Sequence, residues 1–243
     1  MSNPVAVLCI DGPSGSGKGT VAARLARALG WHLLDSGALY RLTALSARRA
    51  GLDFTDVGAL ADCAAGLDIH FEPGADASAS ANAGAHADAN ADAIVVRLAG
   101  EDVSRAIRSD EVGQDASRVA AVEEVRAALI DRQRAFRTAP GLVADGRDMG
   151  TVVFTEAPLK IYLTASVQAR ADRRYKQLMD KGLPASLRDL FDSIQARDDR
   201  DMNRAIAPLK PADDAVAIDS TSLNADAVFE RVMTEARSRG LVD

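Results

Sequence analysis

Nine consecutive residues carry the clearest chemistry in this sequence: Gly12-Pro13-Ser14-Gly15-Ser16-Gly17-Lys18-Gly19-Thr20. They supply G-x-x-x-x-G-K directly after the apolar run Val5-Ala6-Val7-Leu8-Cys9-Ile10. Glycines at this spacing let the backbone wrap tightly, so that its N–H groups converge on phosphate oxygens. A helix opening at Lys18 adds a dipole that favours anions. Lys18 is then a mobile point charge for the terminal phosphates. The implied chemistry is the binding of a polyphosphate and the transfer of its last phosphoryl group. Gly19 stands where the strict motif has Ser or Thr, and the hydroxyl comes one place later, at Thr20. One residue turns a helix by about 100°, so Thr20 is a weak candidate for a Mg²⁺ ligand. A glycine-rich turn that binds nothing is disfavoured by the strand before the motif and the helix after it. A dinucleotide loop would need G-x-G-x-x-G, and Thr20 occupies the place of the third glycine.

Such a loop needs a sheet to hold it. The run 5–10 is apolar without alternation, as a strand buried on both faces of a parallel sheet reads. Helical periodicity follows from 18 to about 29, with Val21, Leu25 and Leu29 at spacings of four. Further strands are expected at 31–34, 142–144, 160–163 and 215–218, each followed by a helical segment. Asp35-Ser36-Gly37 reads as a turn and N-cap that opens a helix through about Arg49. Strand–helix alternation implies an α/β layer fold with a mostly parallel sheet. One stretch departs from it. From 75 to 93 every odd position is alanine, and the even positions are small and mostly polar. Its period suits a strand but its composition does not, so a long mobile loop is expected. The runs 67–71 and 94–98 on either side could pair as a small antiparallel lobe.

The 243 residues suit one sizeable domain with an appended lobe. A hydrophobic share of 47% and a charged share of 26% are ordinary globular usage and exclude wholesale disorder. No apolar run approaches a membrane span, so no membrane association is expected. Met1-Ser2-Asn3-Pro4 lacks the basic region of a signal peptide. Two cysteines, Cys9 and Cys63, make neither a disulfide framework nor a zinc cage. Together these features point to the cytoplasm as the expected location. A net charge of −6 argues against nucleic acid as a partner, and 4% aromatic content argues against base-stacking platforms. Polyanionic substrates must therefore meet local clusters of arginine.

Three further stretches sharpen the reading: Leu34-Asp35-Ser36-Gly37-Ala38-Leu39-Tyr40-Arg41, Ala144-Asp145-Gly146-Arg147-Asp148-Met149-Gly150-Thr151 and Arg197-Asp198-Asp199-Arg200-Asp201-Met202-Asn203-Arg204. With the loop's G-x-x-G-x-G-K-G-T form, they resemble the bacterial cytidylate kinase family from the first strand to the last helix. The resemblance implies a P-loop parallel sheet flanked by helices on both faces. It also implies a small inserted β-rich lobe, at about 66–104, for the monophosphate, and a lid at about 168–205. The implied reaction moves the γ-phosphoryl of ATP to CMP or dCMP with Mg²⁺, in pyrimidine nucleotide metabolism, and the protein is expected to be a monomer.

The resemblance also assigns roles. Gly12 to Thr20 would hold ATP, with Arg173 and Arg174 closing over it. Arg41 and Arg147 would hold the CMP phosphate, and Arg204 also contacts phosphate. Arg197, Asp201 and Ser117 match ribose contacts. Asp148 would read the cytosine amino group, with Ser36 and Arg126 beside it. Lys18, Arg147 and Arg204 are the expected catalytic residues. Asp145, at the carboxyl edge of a strand, could hold Mg²⁺ through water or cap the following turn.

The residues fit this chemistry. A phosphate acceptor is already anionic near neutrality, so no general base is needed. Arginines occur in each of these three stretches, whereas His32, His70 and His86 occur in none of the motifs. Arg197, Asp201 and Arg204 are spaced to share one helix face, as catalytic groups or as a solvated one. Nine residues separate Ser117 from Arg126, so both can face one nucleotide only if the helix breaks near 122–124. A P-loop kinase of a small-molecule alcohol is the alternative enzyme, and it would need a carboxylate base such as Asp35. A GTP switch would need an N-K-x-D-like motif, which the sequence lacks.

Overall fold

A computed structural model describes residues 5–73 and 94–242. In chain order the elements are β1 (Ala6–Asp11), α1 (Lys18–Leu29), β2 (His32–Asp35), α2 (Ser36–Arg49), α3 (Val57–Ala65), β3 (Ile69–Pro73), β4 (Ile94–Leu98), β5 (Glu101–Asp102), α4 (Asp110–Val119), α5 (Glu123–Arg134), β6 (Gly141–Gly146), β7 (Leu159–Thr164), α6 (Val167–Asp180), α7 (Leu187–Asn203), β8 (Val216–Asp219) and α8 (Ala225–Ser238). Short polar side chains start most of the helices. Asp35, Asp56, Ser109, Ser166, Ser186 and Asn224 each accept a backbone N–H of the first turn. The alanine-alternating segment, expected as a mobile loop, lies outside the described residues.

The chain forms two compact units, Met1–Leu34 with Arg134–Asp243, and Asp35–Gln133. The first holds a five-stranded sheet in the order β2-β6-β1-β7-β8. β1 lies at its centre, parallel to both β6 and β7. Val7, Leu8, Cys9 and Ile10 are wholly buried, which is why this run lacks alternation. Leu8 and Ile10 pack with Val21 and Leu25 of α1 and Val228 and Val232 of α8. By the two-residue period of a strand, Val7, Cys9 and Asp11 point to the other face. There Asp11 meets a single π-helical turn, Met149–Val153. An α-helical segment was expected after the 142–144 strand, and this five-residue turn is all that separates β6 from the loop into β7. Gly150 makes the close approach possible, since a Cβ there would press on the Lys160 side chain and Asp11.

The second unit carries a three-stranded antiparallel sheet, β3-β4-β5, with Ile69 opposite Leu98 and Phe71 opposite Val96. The pairing of the two flanking runs is as expected, and the short β5 extends it. α2 packs on α3 and α4. Arg48 of α2 bridges to Asp115 and Glu111 of α4 at 2.6 and 2.9 Å. Between α4 and α5 the helix breaks at residues 120–122, close to the place the nucleotide reading required.

Candidate active site

The phosphate loop leaves β1 through Gly12, whose Cβ would collide with the Leu163 carbonyl oxygen at 2.0 Å, so only glycine fits. It ends at Gly17, in the left-handed region at φ 96°, and α1 begins at Lys18. Lys18 is buried, and its Nζ donates to the Pro13 carbonyl at 2.8 Å. Burial, then the Arg147 charge, lowers the Lys18 pKa to about 7, against the pull of Asp145 and Asp11. Ser16 Oγ donates to the same Pro13 carbonyl at 3.1 Å. Residue 19 faces Asp145, whose Oδ2 lies 3.4 Å from where a Cβ at Gly19 would be. Thr20, the next residue of α1, is half-buried.

Asp11 is fully enclosed. Its two carboxylate oxygens accept from the backbone N–H groups of Met149 and Gly150, each at 2.8 Å. Burial raises its pKa to about 7, although these two donors oppose the shift. Asp11 thereby fixes the turn that follows Arg147 and Asp148. Arg147 donates from Nε to Asp201 Oδ2 at 3.0 Å and from Nη1 to the Gly146 carbonyl at 3.3 Å. Burial works against its charge, but Asp201 and Asp145 outweigh it and raise the pKa. Arg204 Nη2 lies 3.6 Å from Asp148 Oδ1, both side chains being almost wholly buried. Arg204 is the C-cap of α7 with extended backbone, so it does not share a helix face with Arg197 and Asp201 as expected. It reaches Asp148 from beyond the helix, and its Nε donates to the Ala207 carbonyl.

α6 and α7 also hold the loop itself. Arg197 Nη1 lies 3.5 Å from Ser14 Oγ. Arg170 of α6 forms a buried two-pronged pair with Asp198 of α7 and donates to the Ser14 carbonyl at 3.0 Å. Arg173 donates to both the carbonyl and the hydroxyl of Ser220. Arg174 is the next residue on α6.

In the second unit, Ser36 opens α2 and is buried. Arg41 Nη1 donates to the Ile107 carbonyl at 2.7 Å and lies 3.4 Å from that of Ser109. Ser117 is buried on α4. Arg126 of α5 is buried too. Its Nη1 donates to the Ala120 carbonyl at 3.3 Å, and its guanidinium stands 5.8 Å from the Tyr40 ring centroid.

A phosphate loop with a buried lysine, beside a row of paired arginines and aspartates, calls for comparison with known proteins. The family model for cytidylate kinase matches residues 8–238. The chain belongs to the cytidylate kinase family. The cytidylate kinase of Stutzerimonas stutzeri is 54% identical over 99% of this chain and 99% of its own. That of Pseudomonas savastanoi pv. phaseolicola is 57% identical over 97% of this chain and 96% of its own. Among solved structures, a gluconokinase from Sinorhizobium meliloti covers 95% of this chain and 90% of that one at 14% identity, with a TM-score of 0.42.

For a cytidylate kinase the donor set fits Mg²⁺. That ion takes one or two carboxylates and completes its shell with water and phosphate. Asp145, beside the loop at Gly19, would be such a carboxylate; both oxygens of Asp11 accept backbone N–H groups. Among the described residues no cluster of three or more His, Cys, Asp or Glu could hold a metal alone. Neither described histidine joins the site: His32 bonds the Ala139 carbonyl and His70 pairs with Asp68. His86 lies outside the described residues.

Four residues of this cytidylate kinase site were not singled out in the sequence: Asp11, Arg170, Asp198 and Ser220. Asp11 ends an apolar strand just before Gly12, which is a usable signal. Asp198 sits inside the charged run from Arg197. Arg170 and Ser220 have no local signature, because their partners are remote in the chain.

Proposed function

We propose that this chain transfers the terminal phosphoryl group of ATP to CMP or dCMP, giving CDP or dCDP. The supporting observation is a full-length match to cytidylate kinases on a chain whose phosphate loop sets Lys18 near Asp145 and Arg147. The acceptor phosphate is itself the nucleophile, so the enzyme's work is to bring two anions together and hold them in line. Lys18 neutralises charge on the transferred group, and Arg147, held by Asp201, presents its planar fork to the acceptor phosphate. Arg204 adds positive charge beside Asp148. Asp145 would hold Mg²⁺ through water, and that ion, when bound, neutralises charge on the donor phosphates. Thr20 is a lesser candidate for the same ion.

The remaining roles rest on the family resemblance. Residues 12–20 with Arg173 and Arg174 serve ATP. Arg197, Asp201 and Ser117 serve the ribose. Asp148, Arg126 and Ser36 serve the base, and Arg41 serves the acceptor phosphate. Residues 66–104 act as the monophosphate lobe and 168–205 as the lid. Two free cysteines suit a reducing cytoplasm. An ATP-coupled assay over CMP, dCMP, UMP, AMP and a panel of alcohols tests the reading. Turnover with CMP and dCMP well above the others is expected, and preference for an alcohol would overturn it.

A further inference from the structure

Three carbonyls of the phosphate loop, those of Pro13, Ser14 and Ser16, accept side-chain hydrogen bonds. Pro13 O accepts from Lys18 Nζ and Ser16 Oγ, Ser14 O from Arg170 Nη1, and Ser16 O from Ser220 Oγ at 3.0 Å. In a planar trans peptide the C=O and the following N–H point in opposite directions. A carbonyl gripped from outside therefore aims the next N–H inward. Arg170 sets the N–H of Gly15 in this way, and Ser220 sets that of Gly17.

Both grips are themselves fixed. The Arg170 guanidinium is pinned by both oxygens of Asp198 and by the Ala165 carbonyl, and its stem lies where a Cβ at Gly15 would touch it. The Ser220 hydroxyl receives an N–H from Arg173 Nη1 at 3.3 Å. A guanidinium only donates, so the hydroxyl proton is directed to Ser16 O. Ser220 is almost fully buried, and so is Arg170.

We propose that Arg170 and Ser220 are positioning residues that aim the loop's N–H groups at the donor phosphates. The inference rests on reading the loop as the ATP site. It gives Arg173 a task distinct from closing over ATP, that of orienting the Ser220 hydroxyl.

Ser220→Ala removes one oxygen and leaves the backbone carbonyl for Arg173. Arg170→Lys keeps a charge for Asp198 but lacks the planar fork. ATP binding is measured by calorimetry, KM for ATP and for CMP in the coupled assay, and Tm by thermal melting. In Ser220→Ala the ATP Kd and KM should rise about fivefold, the scale of one hydrogen bond, with Arg170→Lys at least as impaired. KM for CMP and Tm should stay near the parent's. The inference is overturned if folded Ser220→Ala binds ATP like the parent, or if the ATP and CMP constants worsen together as Tm falls. A parent that fails to bind ATP would instead sink the underlying reading of the loop, and this inference with it.

Discussion

Arg204 and Asp148 form a buried ion pair, although 56 positions separate them in sequence and one stands just beyond a helix end. Each side chain offers the other an opposite charge in a dry site, where either charge alone would be costly. Cytosine offers an amino donor where uracil offers an oxygen, so a carboxylate accepts from the first and repels the second. Asp148→Asn removes that asymmetry because an amide can turn either end forward. The preference for CMP over UMP in kcat/KM should shrink at least about tenfold. An unchanged ratio in a folded variant would assign base selection to Arg126 and Ser36.

Lys18→Ala should lower kcat by orders of magnitude with little change in Tm. Stabilisers of developing charge in closed sites contribute several kcal/mol to the barrier. Near-normal turnover in single-turnover measurements would remove Lys18 from the chemistry.

Nucleotide binding should take up a proton at alkaline pH. Burial holds the Lys18 pKa near 7 in the free protein, and a bound polyphosphate raises it by favouring the charged amine. The bound state then carries more protons than the free state above pH 7, so affinity falls as pH rises there. Calorimetry of ADP binding at pH 8, in buffers of different ionisation enthalpy, should show uptake of about one proton, falling toward zero at pH 6. Lys18→Ala should abolish it.

Asp11→Asn should cost about 1–3 kcal/mol of unfolding free energy at pH 8, because the amide sets a donor against the N–H of Met149 or Gly150. A lower urea midpoint with an unchanged m-value is the expected result. Equal midpoints would mean the turn at 149–153 is held by other contacts.

Tyr40→Leu should raise KM for CMP about five- to thirtyfold by removing the ring beside the Arg126 guanidinium. Tyr40→Phe keeps the ring and should behave like the parent. Loss of activity in Tyr40→Phe would point to the hydroxyl instead.

The phosphate loop, the central strand and α1 were legible because they are local. A buried apolar run, glycines at fixed spacing and a helical period stand side by side in the chain. The antiparallel pairing of β3 and β4 was legible because two better strand formers flank a stretch of poor ones. Arg204 misled, because a spacing of three from Asp201 reads as one more helical turn whether or not the helix continues. The turn at 149–153 was hidden, since its register depends on Asp11, more than a hundred residues earlier. The Arg170–Asp198 pair was hidden too. Each partner alone looks like a surface charge on a polar helix, and only tertiary packing buries them together.

The bond from Ser220 to Ser16 also orders events at the ribosome. It closes a span of 204 residues, and among the described residues β1 pairs with strands that begin at Gly141 or later. At about 5–20 residues per second, the nascent chain carries its glycine-rich segment for roughly 10–40 s before the last supporting hydroxyl is made. The first segment of the site to be translated is thus among the last to acquire its working shape, and truncated or stalled products should be unable to trap nucleotide while still tethered.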